Sequence, residues 1–163
     1  MKFSQNILKD IFFNNTNKSI KIVFNDYIMP GSFVEFTKCL RKNNSIKQLY
    51  LINSNMSNSD ASALSNALIV NKSLISIKLS KTPLNDFCAG SIAQVIQKNN
   101  TLQKIDISKC VISERAAIAI GFALIDNNTL TNIKISTLQN NKKMYHNLIR
   151  TNSWSFWESN KMN

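Results

Sequence analysis

The sequence predicts an α/β solenoid, a stack of strand-plus-helix units with a parallel sheet along one side and helices along the other. Three observations predict it. A phrase of apolar residues recurs every 28 positions, each recurrence contains both a strand-like and a helix-like apolar period, and the units at the two ends depart from the pattern.

The strand comes first in each unit. Its apolar positions are Ile46, Leu49 and Leu51, then Leu74, Ile77 and Leu79, then Leu102, Ile105 and Ile107, then Leu130, Ile133 and Ile135, so that the starts at 46, 74, 102 and 130 are each 28 apart. Within each phrase the last two apolar residues alternate with polar ones, which is the period of a strand with one buried face.

The helix is carried by a second phrase of the form apolar-x-x-small-apolar-x-x-Asn-x-Ser/Thr. It reads Phe36, Cys39, Leu40, Asn43 and Ser45 in the first copy, and Leu64, Ala67, Leu68, Asn71 and Ser73 in the second. Ile92, Val95, Ile96, Asn99 and Thr101 form the third, and Ile120, Ala123, Leu124, Asn127 and Thr129 the fourth. Spacings of three and four put the apolar members on one helical face, giving a helix of about three turns per unit.

Helix boundaries agree. Ser32 with Glu35 and Ser57 with Asp60 have N-cap spacing, and Asn85 or Asp86 and Ser113 serve the next two helices. At the other ends Asn43, Asn71, Asn99 and Asn127 are expected as left-handed closing residues, a conformation Asn tolerates better than most side chains. The Asn-x-Ser/Thr triplets have the form of glycosylation acceptors, but their fixed place in the unit gives them a structural reason instead.

With these phrases in view, residues 33–137 resemble the ribonuclease-inhibitor-like class of leucine-rich repeats, in which L-x-x-L-x-L is paired with a helix ending L-x-x-A-L-x-x-N-x-S-L. The resemblance implies a right-handed α/β horseshoe arc with a parallel sheet on the concave face and helices on the convex face. It also implies an Asn or Cys three residues after the last strand Leu. Here that place holds Ser54, Thr82, Cys110 and Leu138, so only Cys110 conforms, and the ladder is expected to be weaker or made by hydroxyls.

We expect one domain over residues 1–163, with a degenerate capping repeat at 1–32, four regular repeats at 33–137 and a capping unit at 138–163. At the front, Leu8, Ile11 and Phe12 with Ile20 and Val23 read as a worn helix and strand, 26 residues before the next unit, with Asn25 where an apolar residue belongs and Phe24 in phase with Tyr50. At the back, Met144, Leu148, Trp154 and Trp157 read as a shortened unit 24 residues after the last regular one, the tryptophans lidding the core.

The side chains between the inward ones stack into rows. One row is Gln48, Ser76, Lys104 and Asn132; the next is Tyr50, Lys78, Asp106 and Lys134; a third is Ile52, Ser80, Ser108 and Ser136. The first two rows with Phe24 form the candidate binding face, polar and mildly basic, with aromatics at one end and Asp106 placed to pair with its lysine neighbours. Such a face suits a protein partner, with Tyr50 and Phe24 as anchors and lysines as rim charges.

The formal charge of +11 raises nucleic acid as the alternative partner. Lys47, Lys78, Lys104 and Lys134 fall on or beside the sheet, but Arg-rich or aromatic-interleaved tracts are missing. The excess is nearly all Lys and accompanies heavy use of Asn and Ile, as an AT-rich genome produces.

Catalysis finds little support. Cys39, Cys88 and Cys110 are odd in number and widely spaced, which fits a reducing compartment; Cys39 is expected in the core and the other two at turns. His146 lies far along the chain from every cysteine, and distant units of a one-dimensional stack do not meet. The nine acidic residues offer no pair at glycosidase or metal spacing, and three glycines make no phosphate-cradling loop. Some proteins of this repeat class activate small GTPases through a specific arginine of longer arrays, whereas Arg115 begins a helix on the outer side.

We therefore expect a non-enzymatic scaffold that binds a protein, with no cofactor, no metal, no membrane insertion and no cleaved signal, as a cytoplasmic monomer. The short, Lys/Asn/Ile-rich array resembles effectors that intracellular bacteria deliver into a host cell, which implies a host protein as partner and a signal-peptide-independent route, with Lys142 to Asn163 able to carry the signal. An endogenous cytosolic scaffold is the alternative origin.

Overall fold

The computed structural model describes residues 19–23, 32–110 and 112–135. Strands and helices alternate along the chain: β1 (Ser19–Val23), α1 (Ser32–Lys42), β2 (Gln48–Ile52), α2 (Asn58–Val70), β3 (Ser76–Ser80), α3 (Asp86–Lys98), β4 (Lys104–Lys109), α4 (Glu114–Ile125) and β5 (Asn132–Ile135). The five strands form one parallel sheet in chain order, as in a leucine-rich-repeat solenoid. Each crossover is a helix, and each helix packs on the next.

The register realises the expected file of side chains. Leu49, Ile77, Ile105 and Ile133 are mutual neighbours across β2 to β5, and all four are buried. Together with Leu51, Leu79 and Ile107 they meet Leu64, Ala67, Leu68, Val95, Ile96, Ile120 and Leu124 from the helices in one continuous core. Burial of each such Leu or Ile contributes about 1.5 to 3 kcal/mol, so the stack is held by its length rather than by any single contact.

Three helix starts are as the sequence predicts, whereas Ser32, expected as a cap with Glu35, is the first residue of α1 itself. Ser57 forms a full capping box with Asp60, Asn85 accepts from the N–H of Cys88 at 2.8 Å, and Ser113 accepts from that of Ala116 at 3.0 Å. The caps also link neighbouring units, since Asn85 donates to Asn58 and Ser113 to Asp86.

Helix ends correct the expectation. Asn71 and Asn99 have φ of −69° and −85° with ψ near 130°, which is extended rather than left-handed backbone. Their value lies in the side chain. The Nδ2 of Asn71 donates to the carbonyls of Leu40 (2.7 Å) and Asn43 (2.9 Å) in the preceding unit, while its Oδ1 accepts from the N–H groups of Ser73 (2.9 Å) and Leu74 (2.8 Å) in its own turn. Both donors and both lone pairs of the amide are thereby used. Asn99 repeats the set on Leu68, Asn71, Thr101 and Leu102, and Asn127 reaches back to Ile96 while holding Thr129 and Leu130. Leu40, Leu68 and Ile96 lie in the last turns of α1, α2 and α3, so each amide satisfies a helix carbonyl that has no partner within its helix.

The left-handed residues sit elsewhere. Asn53 (φ 57°) and Lys81 (φ 54°) adopt that conformation immediately after β2 and β3, and their N–H groups donate to the carbonyls of Ser80 and Lys109. The next equivalent, Lys109, is absorbed into β4, where the register shifts so that Ser80 faces Lys109. Just beyond, the place expected to hold an Asn or Cys ladder is filled by hydroxyls and a thiol: Ser54 and Thr82 are hydrogen bonded at 2.9 Å, and Cys110 donates to the carbonyl of Leu79. Leu138 lies outside the described residues, as do the expected front helix from Leu8 to Phe12, Asn25, Met144, His146, Leu148, Trp154 and Trp157.

Replacing Asn71 or Asn99 by Ala strands buried carbonyls and amides in two units at once. We expect each change to lower the free energy of unfolding by about 3 kcal/mol, read from urea unfolding curves, whereas Ser57→Ala costs about 1 kcal/mol.

Candidate functional site

The side of the sheet away from the helices carries the candidate face. Strand alternation sends Leu49 and Leu51 inward and leaves Gln48 and Tyr50 on the other side, and the same holds in β3, β4 and β5. Parallel register then aligns the two rows. Gln48, Ser76, Lys104 and Asn132 are successive partners, as are Tyr50, Lys78, Asp106 and Lys134. With strands about 4.8 Å apart, each row of four spans about 14 Å.

Eight of the nine expected site residues are thus brought onto one surface, with Gln48 and Lys104 exposed and the rest half-buried. Phe24 lies outside the described residues, and the register of β1 corrects its expected phase. Ile20 pairs with Leu49 and Ile22 with Leu51, so the residue opposite Tyr50 is Lys21. The simple alternation of Ile20 and Ile22 governs the strand, rather than the spacing from Ile20 to Val23.

The third row also differs from expectation. Ser80 is buried and pairs with Lys109, because β4 carries one extra residue after Asp106, and Ser108 is drawn to Asp106 instead of standing free. Ser136 lies outside the described residues. What the sequence reading missed are Lys81 and Lys109, which stand exposed at the edge of the sheet where the strands end. Their signal is the position one residue beyond the third row.

Local bonds organise the face. Tyr50 donates its hydroxyl to Gln48 at 3.0 Å, which holds the ring down along β2. Asp106 pairs with Lys78 at 2.8 Å, and its other oxygen accepts from the N–H (3.1 Å) and hydroxyl (2.7 Å) of Ser108. Burial pushes the Asp106 carboxyl up, but the hydrogen bond from Lys78, the two from Ser108 and the lysine charge outweigh it and hold the group below its ordinary value.

The cysteines are placed differently from expectation. Cys88 is buried in the first turn of α3 rather than in a turn between elements, and Cys39 is half-buried at the margin of the core. Cys110 follows β4 in a turn, as expected, but it is buried, and burial pushes its thiol up to about 11, so at neutral pH it is a protonated donor. Among the described residues no group of three metal-ligating side chains converges and no helix is long and apolar enough to cross a membrane. An interior cavity lined by Leu64, Ile77, Cys88 and Val95 measures about 20 Å³, room for one water rather than a small molecule.

Because the folded pKa of Asp106 lies below its unfolded value of about 3.9, its contribution is fully present above that pH and is lost as pH falls through the folded value. We expect Asp106→Asn to cost about 1 kcal/mol at pH 7 and the gap from the parent protein to close towards pH 3, both read from urea unfolding.

No protein-family model matches the chain, and no curated protein does. Among solved structures, it is similar to the leiomodin-1 actin-binding site 2 with a TM-score of 0.74 and 19% identity, over 90% of this chain and 84% of that one. It is also similar to a tropomodulin C-terminal domain from Caenorhabditis elegans with a TM-score of 0.71 and 12% identity, over 90% of this chain and 89% of that one. At these identities the likeness is one of fold, and it places the chain among leucine-rich-repeat-like α/β solenoids with a parallel sheet.

Proposed function

We propose that the protein is a non-catalytic scaffold that binds a protein partner through the concave face of its sheet. The observation that carries this reading is the one-sided sheet. All-parallel sheets ordinarily have both faces covered. Here, among the described residues, helices pack on one face only, while the other holds two rows of polar side chains in strict register with a tyrosine at one end.

The face has the parts that protein recognition uses. Tyr50 offers an aromatic anchor fixed by its bond to Gln48, and Lys104 and Lys134 supply charge around the Lys78–Asp106 pair. The likeness to the actin-binding site of leiomodin-1 supports the general reading, since that domain has the same fold, and it makes actin the first partner to assay.

In style the short Lys/Asn/Ile-rich array is that of an effector placed by an intracellular bacterium in a host cell, with a host protein as the target in the cytoplasm. On this reading the protein acts as a monomer with one domain, and any enzymatic outcome belongs to the partner. An endogenous cytosolic scaffold remains the alternative origin, and both use the same face.

The test is a double variant of exposed or half-exposed residues. Lys78 is unsuitable, because Lys78→Glu would set a second carboxylate against Asp106 and destabilise the sheet. Tyr50→Ala combined with Lys104→Glu avoids this. We expect it to weaken binding to actin, or to a partner recovered by affinity capture, by about 2 kcal/mol while shifting the thermal midpoint little. Undiminished binding by the double variant retires the concave face as the site.

A further inference from the structure

Among the described residues, positive charge is divided unequally between the two sides of the sheet. On the helix side, acidic residues sit in the first turns (Glu35, Asp60, Asp86 and Glu114) and basic residues in the last turns of α1 and α3 (Arg41, Lys42 and Lys98). This is the arrangement that the helix dipole favours, and Lys38 pairs with Glu35. Arg115 and Asp126 alone run against it. The helix-side charges therefore have structural work, and they nearly cancel.

The sheet side has no such balance. Among the described residues, Lys47, Lys78, Lys81, Lys104, Lys109 and Lys134 lie on the sheet or at its edges against a single acid, Asp106. Among the described residues only Lys78 of the six is ion-paired, to that same Asp106. Closely set like charges raise the energy of the empty face.

We propose that this face is built for an acidic protein segment, which deepens the proposed function and rests on it. An extended chain crossing β3 to β5 brings carboxylates over Lys104 and Lys134, with Lys81 and Lys109 along one edge, while Tyr50 and the half-buried Ile52 contact an apolar residue at the β2 end. A protein segment fits better than nucleic acid. Asp106 stands on the face and repels a continuous phosphate backbone, and among the described residues the sheet side has no arginine and a single tyrosine, which makes no stacking track. A segment with spaced carboxylates can step over Asp106, whereas a polyphosphate cannot.

The test uses the full chain and a fluorescent peptide of glutamates spaced by serines with one leucine near its end, with a single-stranded oligonucleotide of equal charge beside it. Lys104→Glu with Lys134→Glu reverses charge on the sheet, and Lys98→Glu with Arg115→Glu makes the same net change on the helices. We expect the sheet variant to lose about tenfold in peptide affinity and the helix variant to lose little, with binding by the parent protein weakening steeply between about 50 and 200 mM salt. Absence of peptide binding at low salt, equal losses in the two variants, or tighter binding of the oligonucleotide each overturns the proposal. If it is overturned while Tyr50→Ala with Lys104→Glu still releases a captured partner, the face binds by other chemistry and the scaffold reading survives; if that release also fails, both fall.

Discussion

The fold depends on one side-chain amide used again in each unit. A parallel stack must solve a problem that an isolated helix leaves open, because the last carbonyls of a helix find no amide within that helix. Asn71, Asn99 and Asn127 meet those carbonyls across the boundary while their oxygens hold the following turn. The hydrophobic interior supplies most of the stabilisation, but apolar contact is non-directional and tolerates sliding. The amide does not, and it fixes the 28-residue step that brings Leu49, Ile77, Ile105 and Ile133 into line.

That alignment produces the candidate site. Once inward residues are in file, the residues between them must be in file too, so Tyr50, Lys78, Asp106 and Lys134 become neighbours although they are far apart in sequence. The site is a by-product of the core's register. Its chemistry is free to vary because the core does not depend on these side chains, and this is why a polar face with one aromatic end is compatible with an ordinary interior.

Much of this was legible in the sequence where the physics is local or periodic. The caps at Ser57, Asn85 and Ser113, the inward file and the two outward rows follow from helix ends needing acceptors and from alternation in strands. The errors arose where one residue type serves two purposes. Asn is favoured both in left-handed turns and as a four-bond bridge, and only the coordinates distinguish these uses at Asn71, whose backbone is extended. Register was misread in β1 for a similar reason: Ile20, Ile22 and Val23 support two phases, and the choice between them is made by pairing with Leu49 and Leu51, which no local pattern encodes. The extra residue of β4 that sets Ser80 against Lys109 was equally hidden. Charge was visible as a total of +11 but not as a division between two sides, since helix and sheet lysines look alike until the helix termini account for the former.

Each bridging amide reaches only as far as the unit immediately before it. Copying a whole unit in tandem therefore leaves every bridge intact, and the array can lengthen by gene duplication without a new solution at any junction. Loss or gain of a single residue between helix and strand has no such route, because it parts an amide from two neighbours at once. An architecture of this kind evolves by whole beats, and the width of the surface it offers a partner grows in the same discrete steps.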